Sequence, residues 1–376
     1  MRDNTPARGP LAGVRVVEIA GIGPGPVCGM LLSDMGAEVL LIERPDSGDV
    51  GIPRARRFEV GHRGKASLVM DLRQPQTRDR ALELIAKADV LIEGFRPGTM
   101  ERLGLGPADC LAVNSRLVYG RMTGYGQSGA LAMRAGHDLN YISLSGALHV
   151  IGRAGQAPTP PLNLVGDYAG GSMLLAFGIA AALVERERSG RGQVIDASMV
   201  EGSSLLMASF HGMFAAGLAS RPRGENLLDS GAPFYDVYVC GDGRYVAFGA
   251  IERKFRKAFA DITGFPAELL LQEGRQWWPE MRAQLSRLFL QRSRDEWCSL
   301  LEDSDACVTP VLAPEEVERH RHNSDRRSFY SVQGVLHPTP APRFSRSVPR
   351  MPGDSPEPGE GGVELARAWG VANITG

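Results

Sequence analysis

The chain has 376 residues, of which 43% are hydrophobic and 23% charged, with a formal net charge of -1. These values are typical of a globular protein long enough for two domains or for one large domain with an excursion, and they argue against general nucleic-acid binding. The first ten residues contain no apolar run, and the longest apolar stretch, 173–184, is too short to span a bilayer. We therefore expect neither a signal peptide nor a contact with membranes.

The five cysteines are far apart and form no CxxC motif: Cys28, Cys110, Cys240, Cys298 and Cys307. An odd and scattered set favours reduced thiols and a cytoplasmic location. A metal site is not predicted, because His320 and His322 have no Cys or carboxylate at ligand spacing.

Strand and helix patterns alternate through the first 122 residues. Strands are predicted at 14–20, 38–43, 67–72, 90–93 and 117–122, with helical patterns at 27–35 and 78–88 and a helical turn at 100–103. Alternation of this kind is typical of an α/β fold with a parallel sheet. We predict a Rossmann-like large domain.

The turn after the first strand, 21–26, is rich in glycine and imitates a dinucleotide-binding fingerprint, with Glu43 in the place of a ribose-binding acid. However, Pro24 and Pro26 have no N–H groups, and the fingerprint works by directing N–H groups at a pyrophosphate. The turn is better interpreted as a rigid segment that brings the backbone close to a ligand or a partner chain.

The middle of the chain continues with helical patterns at 141–150, 169–187 and 199–217 and a strand at 193–197. Residues 219–231 are rich in Arg, Gly, Pro and Asn, which indicates a linker. A hairpin at 234–240 and 244–250, helices at 253–262, 278–291 and 294–302, and an extended tail at 336–359 follow. The predicted domains are a large one at 1–218, a small α+β one at 219–325, and a C-terminal segment at 326–376 that returns to the large domain.

Two groups that can carry a proton stand out between these elements. His137 follows Gly136 and has polar neighbours, which suits the edge of a cleft, and histidine readily exchanges a proton near neutral pH. Asp167 precedes a long helical pattern, so it is a candidate both for a helix cap and for an acid–base group. Asn163 lies four residues earlier and is a candidate hydrogen-bond donor to this carboxylate or to a substrate oxygen.

Other candidates are weaker on their own. Glu252 ends the second hairpin strand, where a solvated strand end is the simpler interpretation. Basic residues lie at strand and loop ends of the first half, where parallel sheets bind ligands. Together they are candidates for holding a polyphosphate such as the nucleotide of coenzyme A: Arg44, Arg63, Lys65, Arg73, Arg96 and Arg102.

Seven segments together resemble the α-methylacyl-CoA racemases, which belong to the family III CoA-transferase group. The resemblance covers about residues 11–346, and its motifs are very specific. They are Val16-Val17-Glu18, Gly21-Ile22-Gly23-Pro24-Gly25-Pro26, Glu93-Gly94-Phe95-Arg96-Pro97-Gly98, Gly136-His137-Asp138-Leu139-Asn140-Tyr141, Pro161-Leu162-Asn163-Leu164-Val165-Gly166-Asp167, Gly249-Ala250-Ile251-Glu252 and Asp305-Ala306-Cys307-Val308-Thr309-Pro310-Val311.

The resemblance implies that His137 and Asp167 form an acid–base pair and that Glu252 is a third active-site residue. It also implies an interlocked homodimer whose active site lies between the large domain of one chain and the small domain of its partner. It places the following residues around the acyl-CoA: Arg44, Met70, Asp71, Leu72, Arg73, Gly94, Phe95, Arg96, Arg102, Gly136, Asp138, Leu139, Asn140 and Tyr141.

The implied reaction is racemisation of a 2-methylacyl-CoA, with coenzyme A present only as part of the substrate and no metal or other cofactor. The alternative is CoA transfer, in which the resembling transferases use the aspartate as a nucleophile. The sequence departs from the racemase pattern at Arg253 and Lys254, directly after Glu252. For a racemase we expect backbone N–H groups near Asp167 or the Gly136 turn to stabilise the enolate oxygen.

Overall fold

The computed structural model describes residues 9–46, 51–220, 222–372 and 374. The expectation of no signal peptide rests on the first ten residues, of which 1–8 lie outside the described residues. The chain forms two compact units: Met1–Ser145, Leu162–Leu206 and Arg321–Gly376 make up unit 1, and Gly146–Pro161 and Met207–His320 make up unit 2. The predicted domain boundaries stay a prediction, since the units divide the chain at different places and unit 2 also takes in Gly146–Pro161.

A six-stranded parallel sheet is the centre of unit 1, which confirms the predicted α/β fold. Its strands are β1 (Arg15–Ile19), β2 (Glu38–Glu43), β3 (Ala66–Val69), β4 (Val90–Glu93), β5 (Val118–Thr123) and β6 (Gln193–Ser198), in the order β3-β2-β1-β4-β5-β6. Val17 of β1 pairs with Leu40 on one side and Leu91 on the other. All three side chains are buried, as expected for a sheet covered on both faces.

Helices connect these strands and cover the sheet. They are α1 (Pro24–Asp34), α2 (Pro75–Ile85), α3 (Thr99–Arg102), α4 (Pro107–Val113) and α5 (Asp138–Leu144), with α6 (Ala147–Val150) in unit 2. The predicted helix at 141–150 is therefore two helices, because the chain breaks at Gly146, which has φ 83°. The chain leaves unit 1 for unit 2 at this break.

The long helix predicted from 169 begins earlier and changes type. Leu164–Met173 is a π-helix, and α7 (Leu174–Ser189) continues it and ends at Gly190 with φ 73°. By length and composition alone, Leu164–Ser189 is long and apolar enough to cross a membrane, although 39% of its most apolar 18-residue stretch is buried in the protein. The helix predicted at 199–217 is also two, α8 (Met199–Leu206) and α9 (Ala208–Ala215), and they separate where the chain passes between units.

Unit 2 contains the predicted hairpin, β7 (Tyr235–Val239) and β8 (Tyr245–Gly249), to which β9 (Val308–Pro310) adds as a third antiparallel strand. Phe248, Phe259, Phe289 and Trp297 are buried in its core. Its helices are α10 (Arg253–Thr263), α11 (Ala267–Leu270), α12 (Trp278–Phe289) and α13 (Arg294–Leu301).

Regular elements lie on both sides of the tail predicted at 336–359, and residues 339–359 form no helix or strand. After α14 (Arg321–Asp325), β10 (Phe329–Val332) and β11 (Val335–Pro338) form a hairpin. Its turn residues, Gln333 and Gly334, have φ 48° and 78°, and two positive φ values suit the twist of a two-residue hairpin. The last helix, α15 (Gly362–Ala368), packs into the core of unit 1 beside β3.

An ion pair is fully buried between β1 and the first turn of α1. The Lys65 Nζ donates to Glu18 Oε1 at 2.8 Å and Oε2 at 2.6 Å, and to the Pro26 carbonyl at 2.9 Å. Neither side chain has exposed surface. Burial raises the pKa of Glu18 and lowers that of Lys65, so each charge depends on the other for compensation.

Lys65 and Arg63 were both expected among the phosphate-binding cations, and that expectation is wrong for these two. Arg63 is also buried, where it binds Asp34 of α1 through two hydrogen bonds of 3.1 and 2.6 Å. Their charges are used inside the protein, which a linear sequence does not reveal because the partners lie about 30 to 50 positions away.

We predict that Lys65→Met destabilises the protein by about 3–5 kcal/mol, because it leaves the Glu18 carboxylate buried without a counter-charge. Adding Glu18→Leu recovers most of this loss. Urea unfolding measures both effects. The control is Lys257→Met in the exposed Lys257–Asp261 pair, which costs less than about 1 kcal/mol. Equal losses for the two lysine variants would contradict the prediction.

Candidate active site

A cavity of about 380 Å³ lies in unit 1 where the chain leaves the carboxyl ends of the sheet strands. Parallel α/β sheets bind ligands at this edge. The loops after β1, β4 and β5 form part of the wall, and the start of α5 and the π-helix form the rest. The lining includes Gly23, Phe95, Arg96, Tyr125, His137 and Asp167.

His137 lies directly before α5, in extended backbone conformation. Its N–H donates to Asn140 Oδ1 at 3.0 Å, which caps the helix and fixes the backbone at this point. The residue is exposed, and it lines the cavity. His137 therefore borders the space that a substrate would enter.

Asp167 lies in the first turn of the π-helix and lines the same cavity. Asn163 Nδ2 donates to its Oδ2 at 3.1 Å, as one of the two interpretations of Asn163 expected. Burial is the main cause that raises the pKa of Asp167, and the Asp138 carboxylate adds to the effect. Asn163 and His137 act in the opposite direction.

Asp138 faces the protein interior rather than the cavity. Only 5% of the residue is exposed, and its Oδ2 accepts the N–H groups of Gly166 at 2.6 Å and of Asp167 at 2.7 Å. These two N–H groups, together with that of His137, were among the expected donors to an enolate oxygen. All three are engaged within the protein, so that part of the expectation is wrong.

Two tyrosines shape the wall beside His137. The Tyr141 hydroxyl donates to the Gly136 carbonyl, and its ring meets Tyr125 edge-on with 5.1 Å between centroids. Burial raises the pKa of Tyr141 to about 12, so this hydroxyl stays protonated. A Cβ on Gly136 would lie 2.6 Å from the Tyr125 hydroxyl, so glycine is needed at that position.

The glycine-rich turn after β1 comes close to Asp167, whereas its approach to a ligand or a partner chain stays a prediction. Gly23 has φ 67°, and a Cβ there would lie 3.2 Å from Asp167 Oδ2. The Ser172 hydroxyl lies 2.8 Å from the Pro24 carbonyl and 3.1 Å from that of Asp167. The start of α1 and the π-helix are thus joined directly at the cavity wall.

Some of the remaining residues expected around acyl-CoA line the cavity, and others do not. Gly94, Phe95 and Arg96 line the cavity. Leu139 is exposed on α5. Arg102 donates to Thr99 Oγ1 at 3.0 Å at the end of α3.

The segment after β3 has a different character. Met70 and Leu72 are buried in the core, so only their backbone is available to a ligand. Asp71 accepts from Arg73 at 2.7 Å, and this ion pair lowers the pKa of Asp71 to about 2. The Arg73 side chain is 78% exposed. Arg44 lies just past the end of β2.

Glu252 belongs to unit 2, where it directly precedes α10 and follows β8. Its charge acts on Cys307, whose pKa is raised mainly by burial. Cys307 precedes β9 and has φ 55°. All five cysteines are free thiols. Among the residues that the structure describes, none form a group of three or more side chains able to hold a metal ion.

Sequence reasoning missed Tyr125 and Arg134, which both line the cavity. Tyr125 follows β5 by two residues, so the rule that ligands bind past the strand ends would have found it. Arg134 lies three residues before His137, where only the folded loop shows that it reaches the same space.

The sequence pattern of CoA-transferase family III matches residues 11–361. The chain belongs to this family. It is 46% identical over 366 residues to the α-methylacyl-CoA racemase of Mus musculus and 43% identical over 368 residues to that of Homo sapiens. Each alignment covers 96% of this chain and 94% of the relative.

Among solved structures, a CAIB/BAIF family protein from Brucella suis is similar with a TM-score of 0.81 and 27% identity. The match covers 96% of this chain and all of the other. The fold is thus shared over 96% of this chain.

We predict that Asp167→Asn stabilises the protein at pH 7. A carboxyl whose pKa is raised by folding destabilises the folded state once pH rises above its unfolded pKa, and the amide removes that cost. The gain should disappear below about pH 3.9, where Asp is protonated in both states. Thermal unfolding across this pH range measures it.

Asp71→Asn is the matched control, because the pKa of Asp71 is lowered instead of raised. Its carboxylate contributes stability above the unfolded pKa, so the variant should be less stable at pH 7 and equal to wild type in acid. A loss of stability at pH 7 for Asp167→Asn would contradict a raised pKa of Asp167 in the folded protein.

Proposed function

We propose that the protein is an α-methylacyl-CoA racemase that interconverts (R)- and (S)-2-methylacyl-CoA. The observation that carries this proposal is that His137 and Asp167 line one cavity. A racemase needs two groups that reach one carbon, one to remove the proton and one to return it. The two relatives described above are named for this activity and give further support.

In the proposed reaction, the carboxylate of Asp167 or the imidazole of His137 removes the α-proton, and the protonated form of the other delivers one to the opposite face. The intermediate is a planar enolate with its negative charge on the thioester oxygen. A raised pKa of Asp167 suits this role, because the carboxyl must act as a base in one direction and as an acid in the other.

The enolate oxygen needs a hydrogen-bond donor. Several of the backbone N–H groups near the cavity already bind other groups of the protein. The N–H groups of Gly166, Asp167 and His137 are engaged by Asp138 and Asn140. In the described part of the chain, no acceptor is seen for the Asp138 N–H, which begins α5 next to His137. We assign this N–H to the oxygen, where the dipole of α5 also favours negative charge.

Coenzyme A enters as part of the substrate, and the proposed chemistry requires no metal or other cofactor. Arg96 lines the cavity and supplies a cation for the CoA moiety. Arg44, Arg73 and Arg102 remain proposed contacts of the more distant phosphates. Binding of this remote part would hold the α-carbon between His137 and Asp167.

A homodimer is the proposed assembly, interlocked as in the resembling racemases. Unit 1 has large apolar side chains on the surface of its longest helical segment, including Met173, Phe177 and Val184, and Phe177 is 71% exposed. A contiguous apolar surface of this kind indicates a protein interface or a membrane contact, and we propose a second copy. Glu252 of each chain would then complete the active site of the other.

A cytoplasmic location stays a prediction, for which the five free thiols are the support.

CoA transfer is the second candidate, because the family includes transferases in which an aspartate is the nucleophile. The presence of His137 beside Asp167 in the cavity favours the racemase, since a nucleophilic carboxylate does not need a second acid–base group to form an anhydride.

We expect wild-type protein to exchange the α-proton of a 2-methylacyl-CoA with deuterium from D₂O. His137→Ala and Asp167→Ala should each lower this rate by about 10²–10⁴-fold, because each removes one acid–base group. Mass spectrometry of the thioester measures exchange. His322→Ala and Asp325→Ala, on the exposed helix α14, are matched controls that should keep the wild-type rate.

Full exchange in either active-site variant would exclude the two-group mechanism. Absence of exchange in wild type, together with an acyl or CoA adduct on Asp167 trapped by hydroxylamine or borohydride, would instead establish the transferase.

The shared site predicts complementation between inactive chains. Co-expression of Asp167→Ala with Glu252→Ala should restore about a quarter of the wild-type rate, since random pairing makes half of the dimers mixed and each has one intact site. Exchange assays on the co-purified dimers measure it. The controls are the two variants expressed separately and then mixed, which interlocked chains should not rescue. Co-expression without rescue would contradict a site shared between chains.

A further inference from the structure

We infer that the Asp138 side chain is a positioning residue, which fixes the start of the π-helix and places a negative charge beside Asp167. This inference rests on the proposed racemase function. It assigns the side chain of Asp138 a task of its own, separate from the contact of the Asp138 N–H with the substrate oxygen proposed above.

The Asp138 carboxylate binds the backbone at the start of the π-helix, and we call this pair of hydrogen bonds the clamp. The Asp138 Oδ2 accepts two successive N–H groups, those of Gly166 and Asp167, at 2.6 and 2.7 Å. These are short, charge-assisted hydrogen bonds of the strong kind. Their donors belong to the first turn of the π-helix, so the carboxylate fixes the backbone from which the Asp167 side chain extends.

The clamp links the two proposed catalytic groups. Asp138 is covalently next to His137 and hydrogen-bonded to the backbone of Asp167, so one residue connects α5 to the π-helix at the cavity. The fit leaves no room for a side chain at position 166, because a Cβ on Gly166 would lie 2.7 Å from Asp138 Oδ2. Burial of Asp138 also excludes a side-chain contact with substrate.

The second oxygen of Asp138 adds an electrostatic effect. Oδ1 is buried and has no hydrogen-bond partner among the described residues, so its charge is poorly compensated. Like charge close to Asp167 disfavours ionisation of that carboxyl.

Other groups around Asp167 do not reproduce this effect. His137 of α5 and Asn163 before the π-helix act in the opposite direction. The start of α1 presents Gly23 and Pro24, and α8 presents Met199, all of which are uncharged. Burial is the main cause of the raised pKa of Asp167, and Asp138 is the charged neighbour that adds to it.

Asp138→Asn tests the inference, because the amide keeps the size and one acceptor oxygen but removes the charge. We expect kcat for exchange in the direction that uses Asp167 as the base to fall about ten- to hundred-fold. The acid limb of its pH profile should move to lower pH, because Asp167 loses the like charge that raised its pKa. KM for a 2-methylacyl-CoA should stay near the wild-type value.

Asp109→Asn is the matched control. Asp109 also accepts a backbone N–H, that of Gly106 at 3.1 Å, but it caps α4 outside the cavity lining. Its replacement should lower stability without moving the pH profile of kcat.

A second variant keeps the test decisive if Asp138→Asn does not fold. Gly166→Ala leaves every charge in place but forces a Cβ against Asp138 Oδ2, so it should lower kcat at an unchanged KM and an unchanged acid limb. A wild-type kcat for folded Gly166→Ala would overturn the positioning role.

Three results for Asp138→Asn would also overturn the inference: a wild-type kcat, a lower kcat with an unmoved acid limb, or a raised KM with kcat preserved. The last would return Asp138 to substrate binding. Failure of the proposed function is separate and would be visible first, as wild-type protein that exchanges no α-proton.

Discussion

The geometry of the site depends on how the first turn of α1 is held between the sheet and the π-helix. The buried Lys65 ammonium binds both Glu18 of β1 and the Pro26 carbonyl, which joins this turn to the sheet. The Ser172 hydroxyl donates to the Pro24 carbonyl, which joins the turn to the π-helix. Because both contacts go to backbone carbonyls of the same turn, the adjoining Gly23 has a fixed position against the Asp167 carboxylate. A buried ion pair contributes little net stability, but it specifies a unique arrangement, and here that arrangement is the cavity wall.

Polar groups that are costly to bury concentrate around this wall. Asp138 has one carboxylate oxygen with no hydrogen-bond partner among the described residues, and Asp167 has a pKa raised by burial. An unpaired buried oxygen costs stability, and so does a buried carboxylate whose pKa is raised. Two hydrophobic clusters cover the opposite faces of the sheet and supply the stabilisation that offsets these costs. A rigid sheet with polar loops at its carboxyl edge is the usual division between stability and chemistry in α/β proteins.

The strands and the edge of the sheet at which the cavity lies were predictable from the sequence, whereas the polar contacts around the cavity were not. Alternating patterns located all six strands of the parallel sheet to within about three residues. By contrast, polar neighbours of His137 suggested a cleft edge, yet Asp138 turns inward because the N–H groups of the π-helix lie behind it. From the sequence, Lys65 resembled a surface cation, because its partner Glu18 lies beside it only in the folded chain. The hairpin turn at Gln333 and Gly334 was not predicted, since Gln-Gly is not among the dipeptides, such as Asn-Gly, that signal two positive φ values.

The use of a π-helix for Asp167 follows from the same constraints. A π-helix widens the turn, such segments are rare, and they occur frequently at functional sites. Here its glycines allow close contacts that a regular side chain would prevent: a Cβ on Gly170 would lie 2.8 Å from the backbone nitrogen of Ser203 in α8. The segment is therefore held by α8 at Gly170, by α5 through Asp138 and by α1 through Ser172. Proton transfer depends on the donor and acceptor being placed before the substrate arrives, and three contacts on one short segment leave the backbone of Asp167 little freedom to move.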